Sequence, residues 1–278
     1  LSLHDALPIW GMPPGNGGMN GSMGMSVPPA SNGMMNGVGG GMNGNGASNG
    51  GGFSNGARRR GASESPPGDK PLFTEGTTPE ATAYRKEHQM VIKNHTGEPI
   101  PDPLLNFQDA QLPAAVLAEV QKAGFTAPSP IQAQAWPVVM RGFDLIGVAK
   151  TGSGKTLGFM VPATMRMFQG GQPRAIKVVV MAPTRELATQ IDVETNKFFA
   201  TSGLRTACVY GGAPKHGQLS AIRGGASVVI ATPGRLNDFL EGGQIRLQEV
   251  SFLVLDEADR MLDMGFEPQI RKVVNSLP

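Results

Sequence analysis

The stretch "AKTGSGKT" at residues 149–156 restricts the possible folds of this chain more than any other feature. It follows the apolar run "DLIGVA" (144–149) and leads into "TLGFMVPATMRMF" (156–168), whose composition suits a helix. Gly152 and Gly154 allow backbone N–H groups to crowd around an anion, and the helix N-terminus adds partial positive charge. A strand, a glycine-rich turn, Lys-Thr and a helix in this order predict a phosphate-binding loop.

The residue types within this loop indicate which groups contact a bound nucleotide. Lys155 can reach the β- and γ-phosphates, and the hydroxyl of Thr156 suits Mg²⁺. Ala149 occupies the position that the first glycine of the pattern often holds. The candidate nucleotide-binding residues of the loop are Ala149, Thr151, Gly152, Ser153, Gly154, Lys155 and Thr156.

The rest of the folded region alternates between short β-branched runs and helical patterns. With 144–149, the predicted strands are 176–182, 205–210, 227–232 and 252–256, and the predicted helices include 113–124, 131–140, 186–200 and 234–243. Strands that are apolar throughout and separated by helices indicate a parallel sheet covered on both faces. We therefore predict a three-layer α/β/α domain with ligands at the carboxyl ends of its strands.

An acidic cluster follows the last of these strands, in "FLVLDEADRML". Carboxylates at the end of a buried strand are costly because charges leave water there. A phosphate-binding loop needs a partner acid on another strand, so we assign Asp256 to Mg²⁺ and Glu257 to the attacking water as general base. Asp259 fits a solvated helix N-terminus nearly as well.

The N-terminal part differs in composition from the rest. Roughly its first 70 residues hold about half of the 39 glycines, and we expect residues 10–83 to be a disordered Gly/Asn/Met-rich tail. An extended lead-in is predicted over 84–106, and the folded domain over 107–278. "LSLHDALPI" (1–9) back-translates without a gap into the end of a common sequencing adapter, so we interpret it as a translated artefact.

The bulk composition excludes several classes of protein. The single cysteine, Cys208, rules out an internal disulfide framework and a cysteine-based zinc cluster. No run of about 18 apolar residues exists, so we expect no membrane span and a location in the nucleus or cytoplasm. A net charge of +2 does not by itself indicate a nucleic-acid partner.

"DEAD" at 256–259 together with "AKTGSGKT" resembles the DEAD-box RNA helicases, superfamily 2 ATPases with two RecA-like domains. "GFTAPSPIQAQ" (124–134) is similar to the adenine-sensing Q motif of that family, with Ser129 in place of the usual threonine. The resemblance implies a RecA-like fold that binds ATP and Mg²⁺. It also implies that Phe107 covers the adenine ring and that Gln132 bonds the adenine edge.

Three further segments, "PTREL" (183–187), "GG" (211–212) and "TPGR" (232–235), resemble the motifs with which the family grips the sugar–phosphate backbone of RNA. Asp259 would act as a relay toward the Ser-Ala-Thr motif and the second domain. The RNA contacts implied by the resemblance are Pro183, Thr184, Arg185, Gly211, Gly212, Thr232, Pro233, Gly234 and Arg235.

The sequence departs from the family pattern after "RKVVNSLP". Neither the Ser-Ala-Thr motif nor the second RecA-like domain with its arginine fingers occurs in these 278 residues, so we expect a partial reading frame. In the family, the Ser-Ala-Thr strand lies between the phosphate-loop strand and the Asp-Glu strand. We therefore expect an open slot in the sheet, weak stability, and little activity of the fragment alone.

Three functions fit these observations. The first is an ATP-dependent RNA helicase that unwinds short duplexes or remodels ribonucleoprotein particles, with protein partners. The second is a phosphate-loop NTPase that acts on DNA or protein; the adenine and RNA motifs argue against it. The third is a binding module for RNA or protein without enzymatic activity.

Overall fold

The computed structural model describes residues 74–95, 97–168 and 175–278. The predictions for 1–9 and for most of the tail lie outside these residues. The helices are α1 (Pro79–Glu87), α2 (Ala114–Lys122), α3 (Pro130–Met140), α4 (Lys155–Phe168), α5 (Arg185–Phe199), α6 (Lys215–Arg223), α7 (Pro233–Glu241), α8 (Ala258–Asp263) and α9 (Glu267–Val274), and a 3₁₀ turn spans Ala200–Ser202. The strands are β1 (Val178–Met181), β2 (Thr206–Val209), β3 (Val228–Ala231) and β4 (Phe252–Leu255).

The four strands form one parallel sheet in the order β2-β3-β1-β4. Met181 of β1 lies opposite Ala231 of β3 and Leu255 of β4, and Val209 of β2 also lies opposite Ala231. All four strands therefore end at the same level, so the loops that follow them share one edge of the sheet. The predicted α/β fold with a parallel sheet is confirmed.

The side chains of β1 point alternately into two separate cores. Val178 and Val180 pack with α4 and α5 on one face, whereas Val179 and Met181 pack with α7 and α8 on the other. All four are fully buried, and complete burial of such a side chain stabilises the fold by about 1.5–3 kcal/mol. The apolar composition of the strand thus follows from its place between two helical layers.

The apolar segment 144–149 is not a strand in the structure, so this prediction is wrong. No regular secondary structure occurs between Phe143 and Lys150, and Ile146 and Val148 are 71% and 94% exposed. A strand requires a neighbour that accepts its backbone hydrogen bonds. Within the described residues, the sheet consists of β2, β3, β1 and β4, and none of these strands pairs with this segment.

Helix α1 corrects the predicted boundary at residue 84, because it begins inside the expected tail and ends inside the expected extended lead-in. The Thr78 hydroxyl caps α1 by accepting a hydrogen bond from the Ala81 N–H at 3.1 Å. Arg85 on α1 is 1% exposed. The tertiary contacts of this buried arginine hold a helix in place where the composition predicts a disordered tail and an extended lead-in.

Candidate functional site

Loops after all four strands meet at the carboxyl edge of the sheet. Residues 183–185 follow β1, 210–212 follow β2, 232–235 follow β3, and Asp256 follows β4. Because the strands end in register, motifs that are far apart in sequence lie along one surface. The strand order puts the three "PTREL", "GG" and "TPGR" loops side by side, with the acidic loop at the end of the row.

The predicted phosphate-binding loop connects the irregular segment 143–150 to α4. Gly152 and Gly154 have φ angles of +76° and +82°, a conformation that favours glycine. The Nζ atom of Lys155 donates hydrogen bonds to the carbonyl oxygens of Ala149 at 2.9 Å and Lys150 at 3.1 Å. The lysine ammonium group therefore closes the loop on itself in this conformation.

The segment that resembles the Q motif contacts the same loop directly. The Ser129 hydroxyl donates to the Ser153 carbonyl oxygen at 2.7 Å, and Gln132 Nε2 donates to the Gly154 carbonyl oxygen at 2.9 Å. Gln132 Oε1 accepts from the Ser129 N–H at 3.0 Å, which completes a capping box at the start of α3. The side chain expected to read adenine thus fixes the position of the phosphate-binding loop here.

Phe107 lies in the apolar core. Its side chain is 4% exposed, and its ring centroid is 6.2 Å from that of Trp136. The indole N–H of Trp136 in turn donates to the Leu157 carbonyl oxygen on α4 at 3.2 Å. Phe107 therefore packs behind the phosphate-binding loop in this conformation, and its contact with adenine stays a prediction.

Asp256 and Glu257 follow β4 directly. Burial raises the pKa of Asp256; the positive charge of Lys155 opposes this effect and the neighbouring Glu257 adds to it. The positive charge of Lys155 at the start of α4 thus acts on the acid that follows β4. The Asp256 carboxylate also accepts the Glu257 N–H at 3.1 Å.

Glu257 has a backbone φ of +51°, in the left-handed region. This conformation costs a non-glycine residue about 1–2 kcal/mol, and such strain is typical of functional positions. The Glu257 carboxylate accepts a hydrogen bond from Arg260 at 3.1 Å. Asp259 is exposed in the first turn of α8, a position that agrees equally with a solvated helix start and with a relay.

The residues at this edge suit a magnesium–nucleotide complex. Ser153 Oγ is buried and has no partner within the described residues, so a polar ligand at the loop would satisfy it. The described part of the chain contains no cluster of three or more His, Cys, Asp or Glu residues that could hold a metal. Mg²⁺ usually takes few protein ligands together with phosphate oxygens, so Thr156 and Asp256 are an adequate protein contribution.

The first of the three remaining loops begins α5. Pro183 is buried, and the Thr184 hydroxyl accepts the Leu187 N–H at 3.2 Å as an N-cap. This bond uses an oxygen lone pair and leaves the hydroxyl proton available for a further acceptor. Arg185 is exposed, and its guanidinium carbon lies 4.8 Å from the centre of the Tyr210 ring.

The other two loops combine exposed glycines with buried side chains. Gly211 and Gly212 are exposed, and Gly212 has a φ of +80°. Thr232 precedes α7, Pro233 is its buried first residue, and Gly234 is exposed with no atom within 4 Å of an added Cβ. The open backbone at these positions leaves room for the close approach of a phosphate.

Sequence reasoning missed two residues of this edge, Tyr210 and Gln218. The Tyr210 ring lies beneath Arg185, and both ends of the Gln218 amide bond the backbone of Tyr210. Arg235, predicted to contact RNA, is only 8% exposed and donates hydrogen bonds to Gln218 and to the Ala213 carbonyl oxygen; its contact with RNA stays a prediction. A tyrosine directly before a glycine pair is the only hint in the sequence, and no spacing rule selects Gln218.

A glycine-rich loop closed by lysine before a helix, with an acid at the end of a parallel strand, defines a nucleotide-binding protein of the phosphate-loop class. Residues 129–278 match the family model described as "DEAD/DEAH box helicase". The chain belongs to this family.

Curated relatives agree with the family model. The chain is 53% identical over 198 residues to "DEAD-box ATP-dependent RNA helicase 46" of Arabidopsis thaliana, which covers 70% of this chain and 30% of that protein. It is 45% identical over 257 residues to "DEAD-box ATP-dependent RNA helicase 14" of the same organism, which covers 92% of this chain and 38% of that protein. The chain thus spans less than half the length of these relatives.

A solved structure is similar as well. The RNA helicase Prp28 from Chaetomium thermophilum, bound to ADP, superposes with a TM-score of 0.60 at 38% sequence identity. The match covers 64% of this chain and 44% of that chain. In the described part of the chain, no helix is long and apolar enough to cross a membrane.

Proposed function

We propose that this chain is the ATP-binding portion of an ATP-dependent RNA helicase. The observation that carries the proposal is the shared carboxyl edge of the sheet, where the loops at 211–212, 232–235 and 183–185 form a row that ends at Asp256; the charge of Lys155 acts on this acid. A nucleotide bound at one end of this row can influence a strand bound along the rest of it. The names of the relatives, which are ATP-dependent RNA helicases, support the same activity.

The phosphate-binding loop must open before it binds a nucleotide. Lys155 Nζ would exchange the carbonyl oxygens of Ala149 and Lys150 for phosphate oxygens, and Ser153 Oγ would gain a partner. When bound, ATP supplies the phosphoryl group and Mg²⁺ supplies positive charge for its transfer. Thr156 and Asp256 would hold the metal.

Glu257 would act as the general base. Its carboxylate is bonded to Arg260, at 3.1 Å, and it must leave this arginine to accept a proton from water. A carboxylate in this role contributes typically about 10²–10⁴ in rate. Glu257 directly follows Asp256 in the sequence, so one strand end would supply both the metal ligand and the base.

The nucleotide base would be recognised by the segment that contacts the loop. The Gln132 amide bears both a donor group and an acceptor group, which is the combination that the adenine edge requires. In the described conformation Gln132 Nε2 bonds Gly154, so adenine binding would be coupled to the position of the phosphate-binding loop. We therefore expect Gln132→Ala to reduce the preference for ATP over GTP.

RNA would be held through its sugar–phosphate backbone. Arg185 supplies positive charge, Thr184 and Thr232 supply hydroxyls, and Gly234 supplies an open helix start. Such contacts carry little base specificity, so we propose that other segments or protein partners select the RNA. ATP hydrolysis in the family requires arginines from a second domain. In related NTPases, the absence of such an arginine lowers the rate of hydrolysis about 10³–10⁵-fold.

The decisive experiment measures ATP hydrolysis by the full-length protein in the presence of single-stranded RNA or DNA of the same sequence. We expect stimulation by RNA only, and stimulation by DNA or by neither would contradict the proposal. Glu257→Gln should retain ATP on RNA with hydrolysis reduced at least about 10²-fold. Lys155→Ala should abolish productive ATP binding. Glu267→Gln, which changes an exposed acid on α9, is the matched control and should leave hydrolysis unchanged.

A further inference from the structure

Arg235 faces into the protein. Its side chain is 8% exposed, although Gly234 beside it is open to solvent. Its Nη1 atom donates to the Ala213 carbonyl oxygen at 3.0 Å and to Gln218 Oε1 at 3.2 Å. The Nε atom is 3.6 Å from the Asp238 carboxylate. The Nε atom is buried without a hydrogen-bond partner within the described residues, so the Nη1 atom carries the hydrogen bonds that tie the guanidinium group to the protein.

Gln218 on α6 bonds both backbone groups of Tyr210. Its Oε1 atom accepts the Tyr210 N–H at 3.2 Å, and its Nε2 atom donates to the Tyr210 carbonyl oxygen at 3.0 Å. The amide thereby pairs with the end of β2 as a neighbouring strand would. Since Oε1 also accepts from Arg235, one side chain joins the loop after β2 to the start of α7.

The network extends to the third loop through the Tyr210 ring. The guanidinium carbon of Arg185 lies 4.8 Å from the ring centre, within the range of a cation–π interaction. Arg235, Gln218, Tyr210 and Arg185 therefore connect the three loops that follow β3, β2 and β1. Of these side chains, only Arg185 is exposed.

The loop after β2 needs such support because its next two residues are Gly211 and Gly212. Glycine loses more conformational freedom on folding than any other residue, and neither glycine has a side chain with which to anchor itself. The Tyr210 backbone before the pair and the Ala213 carbonyl oxygen after it are both bonded by this network. The glycine pair is thus held from both sides.

We propose that Arg235 and Gln218 are positioning residues that hold the Tyr210–Ala213 loop in the shape that accepts an RNA phosphate, and that Arg235 is not itself a phosphate ligand. This inference rests on the proposed function, because it concerns the same RNA surface. It reassigns Arg235 from the direct contact that the family resemblance implies. It also adds Gln218 and Tyr210 to the residues on which RNA binding depends.

The salt dependence of binding distinguishes a phosphate ligand from a positioning residue. The measurement is the affinity of the full-length protein for a fluorescein-labelled single-stranded oligouridylate, from fluorescence anisotropy across a series of KCl concentrations. Each phosphate neutralised on a single strand contributes about 0.7 to the slope of log K against log[salt]. The loss of a phosphate ligand therefore reduces the slope. The displacement of an uncharged backbone contact lowers the affinity at every salt concentration but leaves the slope unchanged.

We expect Gln218→Leu and Arg235→Gln each to weaken binding about tenfold, the loss of roughly one net hydrogen bond, with the slope unchanged. The double variant should be little weaker than either single variant, because both changes release the same loop. Arg185→Gln should instead reduce the slope by about 0.7. Gln121→Leu, which changes an exposed glutamine on α2, is the matched control.

A slope reduced by about 0.7 in Arg235→Gln, or unchanged affinity in Gln218→Leu, would overturn the inference. Gln218 is only half-buried, so its variant remains informative if Arg235→Gln does not fold, as judged by circular dichroism and ATP binding. The proposed function fails separately, if the unmodified protein does not bind the oligouridylate or if Arg185→Gln leaves both affinity and slope unchanged.

Discussion

Replacement of Arg85 by methionine should destabilise the folded chain strongly. Arg85 is 1% exposed on α1. It donates from Nε to Gln134 Oε1 at 2.9 Å, from Nη1 to the Glu75 carbonyl oxygen at 2.7 Å, and from Nη2 to the Pro101 carbonyl oxygen at 2.8 Å. One side chain thus joins the N-terminal segment, the lead-in and helix α3.

The expected magnitude follows from the fate of the three acceptors. The Pro101 oxygen keeps a donor, since Gln134 Nε2 bonds it at 2.9 Å. Gln134 Oε1 loses its arginine donor, and an unsatisfied buried acceptor costs about 1–3 kcal/mol. The carbonyl oxygen of Glu75, an exposed residue, can bond water instead, so the loss of its hydrogen bond costs only about 0.5–1.5 kcal/mol. Methionine preserves most of the apolar stem. We therefore expect a loss of about 1.5–4.5 kcal/mol in the free energy of unfolding, a large part of the 5–15 kcal/mol typical of a domain.

The assay is urea unfolding of the 278-residue chain, followed by far-UV circular dichroism and by tryptophan fluorescence, which reports on the buried Trp136. Arg271→Ala is the control, because Arg271 is exposed and, among the described residues, its side chain pairs only with Glu267 on the same helix; we expect a change below about 0.5 kcal/mol. A loss below about 1 kcal/mol in Arg85→Met would refute the reasoning, since it would mean that these bonds contribute almost no net stability.

Three further outcomes follow from the structure. The folded state raises the pKa of Asp256 and so holds its proton more tightly than the unfolded chain; its carboxylate destabilises the fold at pH 7 but not below about pH 4. Asp256→Asn should raise the unfolding free energy at pH 7, and the gain should vanish in acid; a gain independent of pH would contradict this. Burial, with a contribution from Asp192, raises the pKa of Cys208 to about 11, so at pH 8 about one thiol in a thousand is ionised. Iodoacetamide should label Cys208 slowly until urea unfolds the chain. Equal labelling rates in the folded and the unfolded chain would contradict the raised pKa of this thiol. Gly154→Ala would put a Cβ against Gln132 Nε2 at a φ of +82°, a conformation that side chains rarely adopt. We expect loss of ATP binding, measured by equilibrium titration, and retained affinity would disprove this.

Much of the candidate site could be predicted from the sequence because its geometry is local. A glycine-rich turn followed by Lys155 and a helix forms a loop of defined shape in any sheet, since the glycines need only their own positive φ angles. Asp256 follows an apolar strand, and parallel strands bring their carboxyl ends to one edge. The roles assigned to the individual side chains remain predictions.

Only the tertiary structure decided the outcomes that depend on a neighbour. The segment 144–149 has the composition of a strand, but hydrogen bonds to an adjacent strand define one, and the described residues supply none. Likewise, an arginine in a sequence can face solvent or protein. Arg85 and Arg235 are buried because backbone carbonyl oxygens and glutamine side chains distant in the sequence accept their hydrogen bonds. Sequence by itself determined the glycine-rich loop and the class of protein, because both depend on residues close together in the chain. Long-range packing selected which charged groups are exposed and which hold the fold together.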